Sequence, residues 1–216
     1  LIAVEQYGAA PFGSQILAAL GADVIKIENS ATGGDVSRSI GPHRIGNSDS
    51  EFFQTFNRNK RSLTLNLKSP SARSVLDRLV KSADGLFNNL RGDHPEKLGL
   101  TFDSLKQINP KIVCAHLSAY GRTGSRTNLP GYDYLMQAEA GYMYLTGDPE
   151  GPPTRFGLSM IDYSTGLTMA LSLVSGILGA RASGKGADLD VSLFDVAFHQ
   201  LTYPAMWYLN HGELTE

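Results

Sequence analysis

One carboxylate stands out by its setting. Asp162 lies in Phe156-Gly157-Leu158-Ser159-Met160-Ile161-Asp162-Tyr163-Ser164-Thr165-Gly166, just ahead of a long apolar segment that runs to Arg181. An Asp that opens a helix ordinarily caps it, satisfying orphan N–H groups and complementing the positive end of the dipole. The same physics allows a second role. A carboxylate held by helix N–H groups stays ionised, and when partly desolvated it can attack an activated acyl group. The two roles are compatible, so the neighbourhood decides between them.

Other reactive residue types have blander settings. The cluster Arg58-Asn59-Lys60-Arg61 reads as a solvated helix end, with a phosphate contact as the alternative. Cys114 and His116 fall in the apolar run Ile112-Val113-Cys114-Ala115-His116-Leu117-Ser118 and read as core residues. The five histidines are scattered without metal-ligand spacing, and no metal is expected.

The elements that must position Asp162 alternate in type. Leu1 to Val4 reads as a buried strand, 11–20 as a helix with Pro11 in its first turn, and 23–28 as a second strand. That is a right-handed βαβ unit with parallel strands. Glu28 stands where a dinucleotide-binding unit holds a ribose, but the turn reads Gly8-Ala9-Ala10-Pro11-Phe12-Gly13 and fails the glycine fingerprint. Ser14 follows Gly13 where a P-loop requires Lys. Further strands are expected at 62–67, 85–88, 112–118 and 189–193. Helices are expected at 49–57, 70–82, 102–108, 132–140 and 194–209, with a short one around Lys97. The glycine-rich loop 119–131 is long enough to be functional. The segment after Asp162 is apolar all round, which predicts a buried helix, ended by Gly184-Lys185-Gly186. The result is an α/β fold: an open, mostly parallel sheet with helices on both faces, and ligands outside the carboxyl ends of the strands.

Bulk properties bound the function. The chain has 216 residues, 42% hydrophobic and 19% charged, enough for one globular domain and part of another. A net charge of −2 does not suggest a nucleic-acid partner. No unbroken apolar run reaches the roughly 18 residues of a membrane span, and no signal peptide opens the chain. The single cysteine excludes an internal disulfide framework and points to a reducing compartment. Both ends read as cut: the first residues are already strand, and the last follow an apolar stretch with nothing to pack against.

Taken together, several stretches resemble the family III CoA-transferases, the CaiB/BaiF type that includes formyl-CoA transferase-like proteins. They are Leu20-Gly21-Ala22-Asp23-Val24-Ile25-Lys26-Ile27-Glu28, Gly34-Asp35 with Arg38, Asn57-Arg58-Asn59-Lys60-Arg61-Ser62, Gly131-Tyr132-Asp133, Asp162 with Gly166, and Gly184-Lys185-Gly186. Their order and spacing match over essentially the whole chain. The resemblance implies a Rossmann-like domain in an interlocked homodimer of longer subunits, with the second, smaller domain missing here. Residues 1–193 would form the CoA-binding and catalytic domain, and 194–216 a helix starting the linker to the absent one.

The resemblance also implies roles. Asp162 takes the place of the nucleophile that forms an acyl-aspartyl anhydride and then an aspartyl-CoA thioester. Asp133 takes that of an acidic residue near the reaction centre. Lys68, Asn89, Arg91 and Lys97 fall where the family contacts CoA, which would serve as substrate and product thioester. Partners would be an acyl-CoA and a free carboxylic acid, in the cytoplasm or, in a eukaryote, the mitochondrial or peroxisomal matrix. Departures occur at Gly8 (a glutamine in some members), at Asn29, where a basic residue can follow Glu28, and at Asn88 and Leu90, in place of a Glu and an aromatic. An α-methylacyl-CoA racemase shares the fold, but Tyr132 stands where its histidine would. A neutral phenol is a poor base at neutral pH. A non-catalytic CoA-binding fragment is the remaining alternative.

Overall fold

The computed structural model describes residues 1–215. In chain order the elements are β1 Ile2–Val4, α1 Ala9–Ala19, β2 Val24–Glu28, α2 Glu51–Asn57, β3 Lys60–Thr64, α3 Pro70–Val80, β4 Gly85–Asn88, α4 His94–Lys97, α5 Phe102–Leu105, β5 Val113–Ser118, α6 Asp133–Glu139, α7 Tyr142–Leu145, α8 Met160–Ser183, β6 Ala187–Ser192, α9 Leu193–Gln200 and α10 Thr202–His211. Two short 3₁₀ turns, Ser30–Thr32 and Val36–Ser39, shape the segment after β2.

The six strands form one parallel sheet in the order β3-β2-β1-β4-β5-β6. Alternation along each strand divides the core between its two faces. Phe87, Val113, Ala115 and Leu117 pack against Met169 and Leu173 of α8 and Val196 and Ala197 of α9. Ile2, Val4, Leu86 and Cys114 pack on the other side, with Leu76 and Val80 of α3.

Helices α1 and α8 cross where neither has a side chain. A Cβ built on Gly13 would lie 2.3 Å from the Gly166 carbonyl oxygen, and one on Gly166 would lie 2.3 Å from that of Ala9. This backbone-on-backbone contact sets how close the start of α1 comes to the start of α8.

Several expectations change. Strand β3 begins two residues earlier, at Lys60, and leaves Leu65 and Leu67 to pack as loop residues on the α3 side. The helix expected at 102–108 ends at Leu105. The one expected at 194–209 is two helices, broken where Thr202 takes a φ of 44°. Helix α8 is buried on one face only: Ile161, Met169, Ala170 and Leu173 are core, whereas Leu167, Leu171, Val174 and Leu178 face outward. At 24 residues it is long and apolar enough to cross a membrane by length and composition, as core helices of soluble proteins also can be.

Candidate active site

The strand order reverses between β1 and β4, and such switch points open a crevice beyond the carboxyl ends of the strands. Here the loops after β1 and β4 border a cleft of about 350 Å³, together with segments 117–119 and 129–132, and Asp162 reaches it from α8. The Asn89 side chain ties the two switch-point loops together. Its Oδ1 accepts from Gln6 N–H at 2.9 Å, and its Nδ2 donates to the Gln6 carbonyl at 2.7 Å. With the amide used this way, Asn89 shapes the cleft from beneath.

The next residue, Tyr7, has a φ of 71°, a backbone conformation that costs a non-glycine residue free energy. Buried charges hold the loop that contains it. Asp35 Oδ1 accepts from Tyr7 N–H at 3.1 Å, and Asp35 pairs with Lys26 at 2.8 Å. Lys26 donates to the Glu5 carbonyl, and Lys60 pairs with Glu5 at 2.7 Å and donates to the Pro11 carbonyl. Lys60 is therefore a buried strut, not part of a solvated helix end. Arg61 fits that expectation better, in an exposed pair with Asp23. The ring of Tyr7 turns toward Tyr132, with centroids 6.1 Å apart and planes at 69°.

Asp162 is 6% exposed, and neither of its oxygens has a hydrogen-bond partner among the described residues. The expected cap role belongs to another residue. Asp133 Oδ2 accepts from the N–H groups of Ile161 at 2.7 Å and Asp162 at 3.0 Å. With Asp133 occupying the orphan donors of α8, the Asp162 carboxylate is left pointing at the cleft. Burial, then the charge of Asp133, pushes the Asp162 pKa up to about 7. The expectation of a carboxylate locked in its ionised form is thus corrected, because helix N–H groups do not hold it. Gly8 faces it: a Cβ there would sit 3.2 Å from Asp162 Oδ2. Asp133 is also raised, chiefly by burial, against its backbone and Gln137 donors and the charge of Arg155.

The remaining expected residues divide between two clefts. Arg91 borders the first, with a guanidinium nitrogen 3.2 Å from His94 Nε2. Lys68 and Lys97 border a second, of about 620 Å³, which shares Gln6, Leu90 and His94 with the first. Lys97 pairs with Asp93 at 2.5 Å; Lys68 makes no ion pair among the described residues. The two spaces therefore meet behind the switch point. Cys114 is buried as expected, and His116 lies in the core between Asn88 and Asp188, 2.8 Å from each. Residues not singled out beforehand are Gln6, Tyr7 and His94. Their signal was positional, since Gln6 and Tyr7 directly follow the strand at the reversal. No cluster of metal-ligating side chains occurs among the described residues.

A parallel sheet with a buried carboxylate at its switch point, without a hydrogen-bond partner among the described residues, defines an α/β protein with an acid group facing an open cleft. The chain belongs to CoA-transferase family III, whose sequence model matches residues 1–216. It is 36% identical over 209 residues to a succinate–glutarate CoA-transferase of Agrobacterium fabrum, covering 94% of this chain and 52% of that protein. It is 39% identical over 204 residues to an acetyl-CoA:oxalate CoA-transferase of Acetobacter aceti, covering 94% and 52%. A crystal structure of a CAIB/BAIF family protein from Brucella suis superimposes with a TM-score of 0.91 at 35% identity, over 100% of this chain and 58% of that one. The chain spans about half the length of the curated relatives it matches.

Proposed function

We propose that the protein transfers CoA from an acyl-CoA to a free carboxylic acid, with the CoA passing through Asp162. The Asp162 carboxylate attacks the thioester carbonyl, and the C–S bond breaks to leave an acyl-aspartyl anhydride and CoA thiolate. The thiolate attacks the aspartyl carbonyl, releasing the donor acid and leaving an aspartyl-CoA thioester. The acceptor carboxylate displaces CoA to form a second anhydride. Thiolate attack on its acyl carbonyl then yields the new acyl-CoA and restores Asp162. Each step exchanges acyl links of comparable energy, so the cycle needs no nucleoside triphosphate.

The observation that carries this reading is the unpartnered Asp162 carboxylate, buried and turned into the cleft at the sheet's reversal. Desolvation strengthens an oxygen nucleophile, and a pKa of about 7 leaves a large ionised fraction at neutral pH. Asp133 acts as a positioning residue that caps α8 and so aims Asp162. The second cleft, with Lys68 and Lys97 at its edge, suits the phosphates of a nucleotide handle, and Arg91 borders the first cleft together with Asp162. Succinate, glutarate and oxalate, the acids in the relatives' names, are all dicarboxylates, and we assign the acceptor to that class. The homodimer and the cytoplasmic or organellar location rest on the family resemblance.

The test is a panel of acyl-CoA donors and acids incubated with the intact protein and read by mass spectrometry. CoA should move to the acid with wild type and not with Asp162→Ala. Exchange of the α-proton with solvent in the absence of any acid would favour racemisation. Binding of CoA without transfer would favour a scaffold.

A further inference from the structure

Beside the hydrogen-bonded chain that leads to Asp133 stands a cation that the steps above do not use. The guanidinium carbon of Arg155 sits 4.1 Å from the centre of the Tyr134 ring, and the side chain is exposed with no ion pair among the described residues. Its backbone is firmly placed. Phe156 N–H donates to Gln137 Oε1 at 2.8 Å, and Gln137 Nε2 donates to Asp133 Oδ1. Asp133 in turn accepts the N–H groups of Ile161 and Asp162. Three hydrogen-bonded links thus run from the residue beside Arg155 to the residue proposed to react.

The electrostatics point the same way. Burial raises the phenols of Tyr7 and Tyr163, the charge of Asp162 adds to both, and Tyr134 adds least. The charge of Arg155 reaches Asp133, whereas Asp162 is affected only by burial and by Asp133. Two buried acids would repel a doubly charged substrate unless a cation stood nearby. A guanidinium seated on an aromatic face keeps its in-plane N–H groups free at the edge, in the fork that suits a carboxylate.

We propose that Arg155, seated on Tyr134, binds the distal carboxylate of a dicarboxylic acyl group while the proximal carboxyl reacts at Asp162. This rests on the CoA-transfer reading. Donor and acceptor acids each form the anhydride with Asp162 in turn, so Arg155 would serve a dicarboxylic group on either side of the exchange.

The experiment compares wild type, Arg155→Gln and Arg155→Lys as intact proteins. Acceptors are glutarate and succinate against propionate; donors are succinyl-CoA against acetyl-CoA. A charge-assisted hydrogen bond accounts for on the order of tenfold to a hundredfold in binding. Arg155→Gln should therefore raise KM for the dicarboxylic partner by about that factor, on either side, with kcat little changed. Propionate and acetyl-CoA kinetics should be unchanged, and Arg155→Lys should recover part of the loss. Equal losses with mono- and dicarboxylic partners, no loss with either, or a wild-type enzyme without preference for dicarboxylates would overturn the assignment. An Asp162 adduct formed from acetyl-CoA by wild type and Arg155→Gln alike separates failure at Arg155 from failure of the reaction itself. Absence of any adduct in wild type would bring down both.

Discussion

At neutral pH the Asp162 carboxyl is close to half ionised, because burial and the neighbouring Asp133 charge push its pKa up to about 7. The nucleophile is the deprotonated form, so CoA release in a single turnover should rise with pH and level off above about 7. Asp133→Asn removes the neighbouring charge, so the midpoint of that profile should move to lower pH, while the amide oxygen can still accept from the N–H groups of α8. Gly8→Ala should slow turnover with little change in stability, since its backbone is unstrained and the new Cβ meets chiefly Asp162 Oδ2. Asp162 was legible in the sequence as the acid ahead of an apolar helix. Its cap was not, because the capping carboxylate comes from 29 residues upstream by tertiary packing. The roles of Asn89 and Lys60 were hidden for the same reason: their partners, Gln6 and Glu5, are distant in sequence.

The crossing of α1 and α8 couples stability to the site. Alanine at Gly13 or Gly166 would drive a methyl into a carbonyl oxygen of the opposing helix. Such overpacking costs about 1–3 kcal/mol, or more where backbone must move, and it would separate Gly8 from Asp162. Either variant should lower the urea midpoint and the turnover rate together, unlike Gly8→Ala. Strand and helix types were readable because parallel strands buried on both faces are short apolar runs, and the intervening helices carry caps and prolines. The split between α9 and α10 has one sequence signal, Pro204 in the first turn of α10, while the apolar run around it gives no sign of the left-handed Thr202. The outward row of α8 was not readable: composition alone does not say which apolar side chains meet a partner.

Across the whole molecule, the site's acids set how stability varies with pH. Asp162 binds its proton more tightly in the folded chain, with a pKa of about 7 against an ordinary 3.8. Its contribution is therefore full below about pH 4 and lost as pH rises through about 7, amounting to ~4 kcal/mol at most. Asp162→Asn escapes that penalty, so its melting temperature should exceed that of wild type by more at pH 8 than at pH 5. Glu28 has the opposite sign: burial raises its pKa, but hydrogen bonds from Arg38, Asp35 N–H and Ser62 outweigh this and hold it at about 2. Its contribution is present above the ordinary carboxylate range and lost as pH falls toward about 2. Differential melting of wild type and Glu28→Gln from pH 6 to pH 3 should show the gap between them closing.

The central claim is that Asp162 takes an acyl group from sulfur. Its most direct test is the mass of the peptide containing Asp162, isolated after the intact protein meets an acyl-CoA in the absence of acceptor acid and the adduct is trapped with hydroxylamine. A hydroxamate on Asp162 is expected, at a yield that grows with pH through about 7. An unmodified Asp162 peptide, or equal trapping in Asp162→Ala, would contradict it.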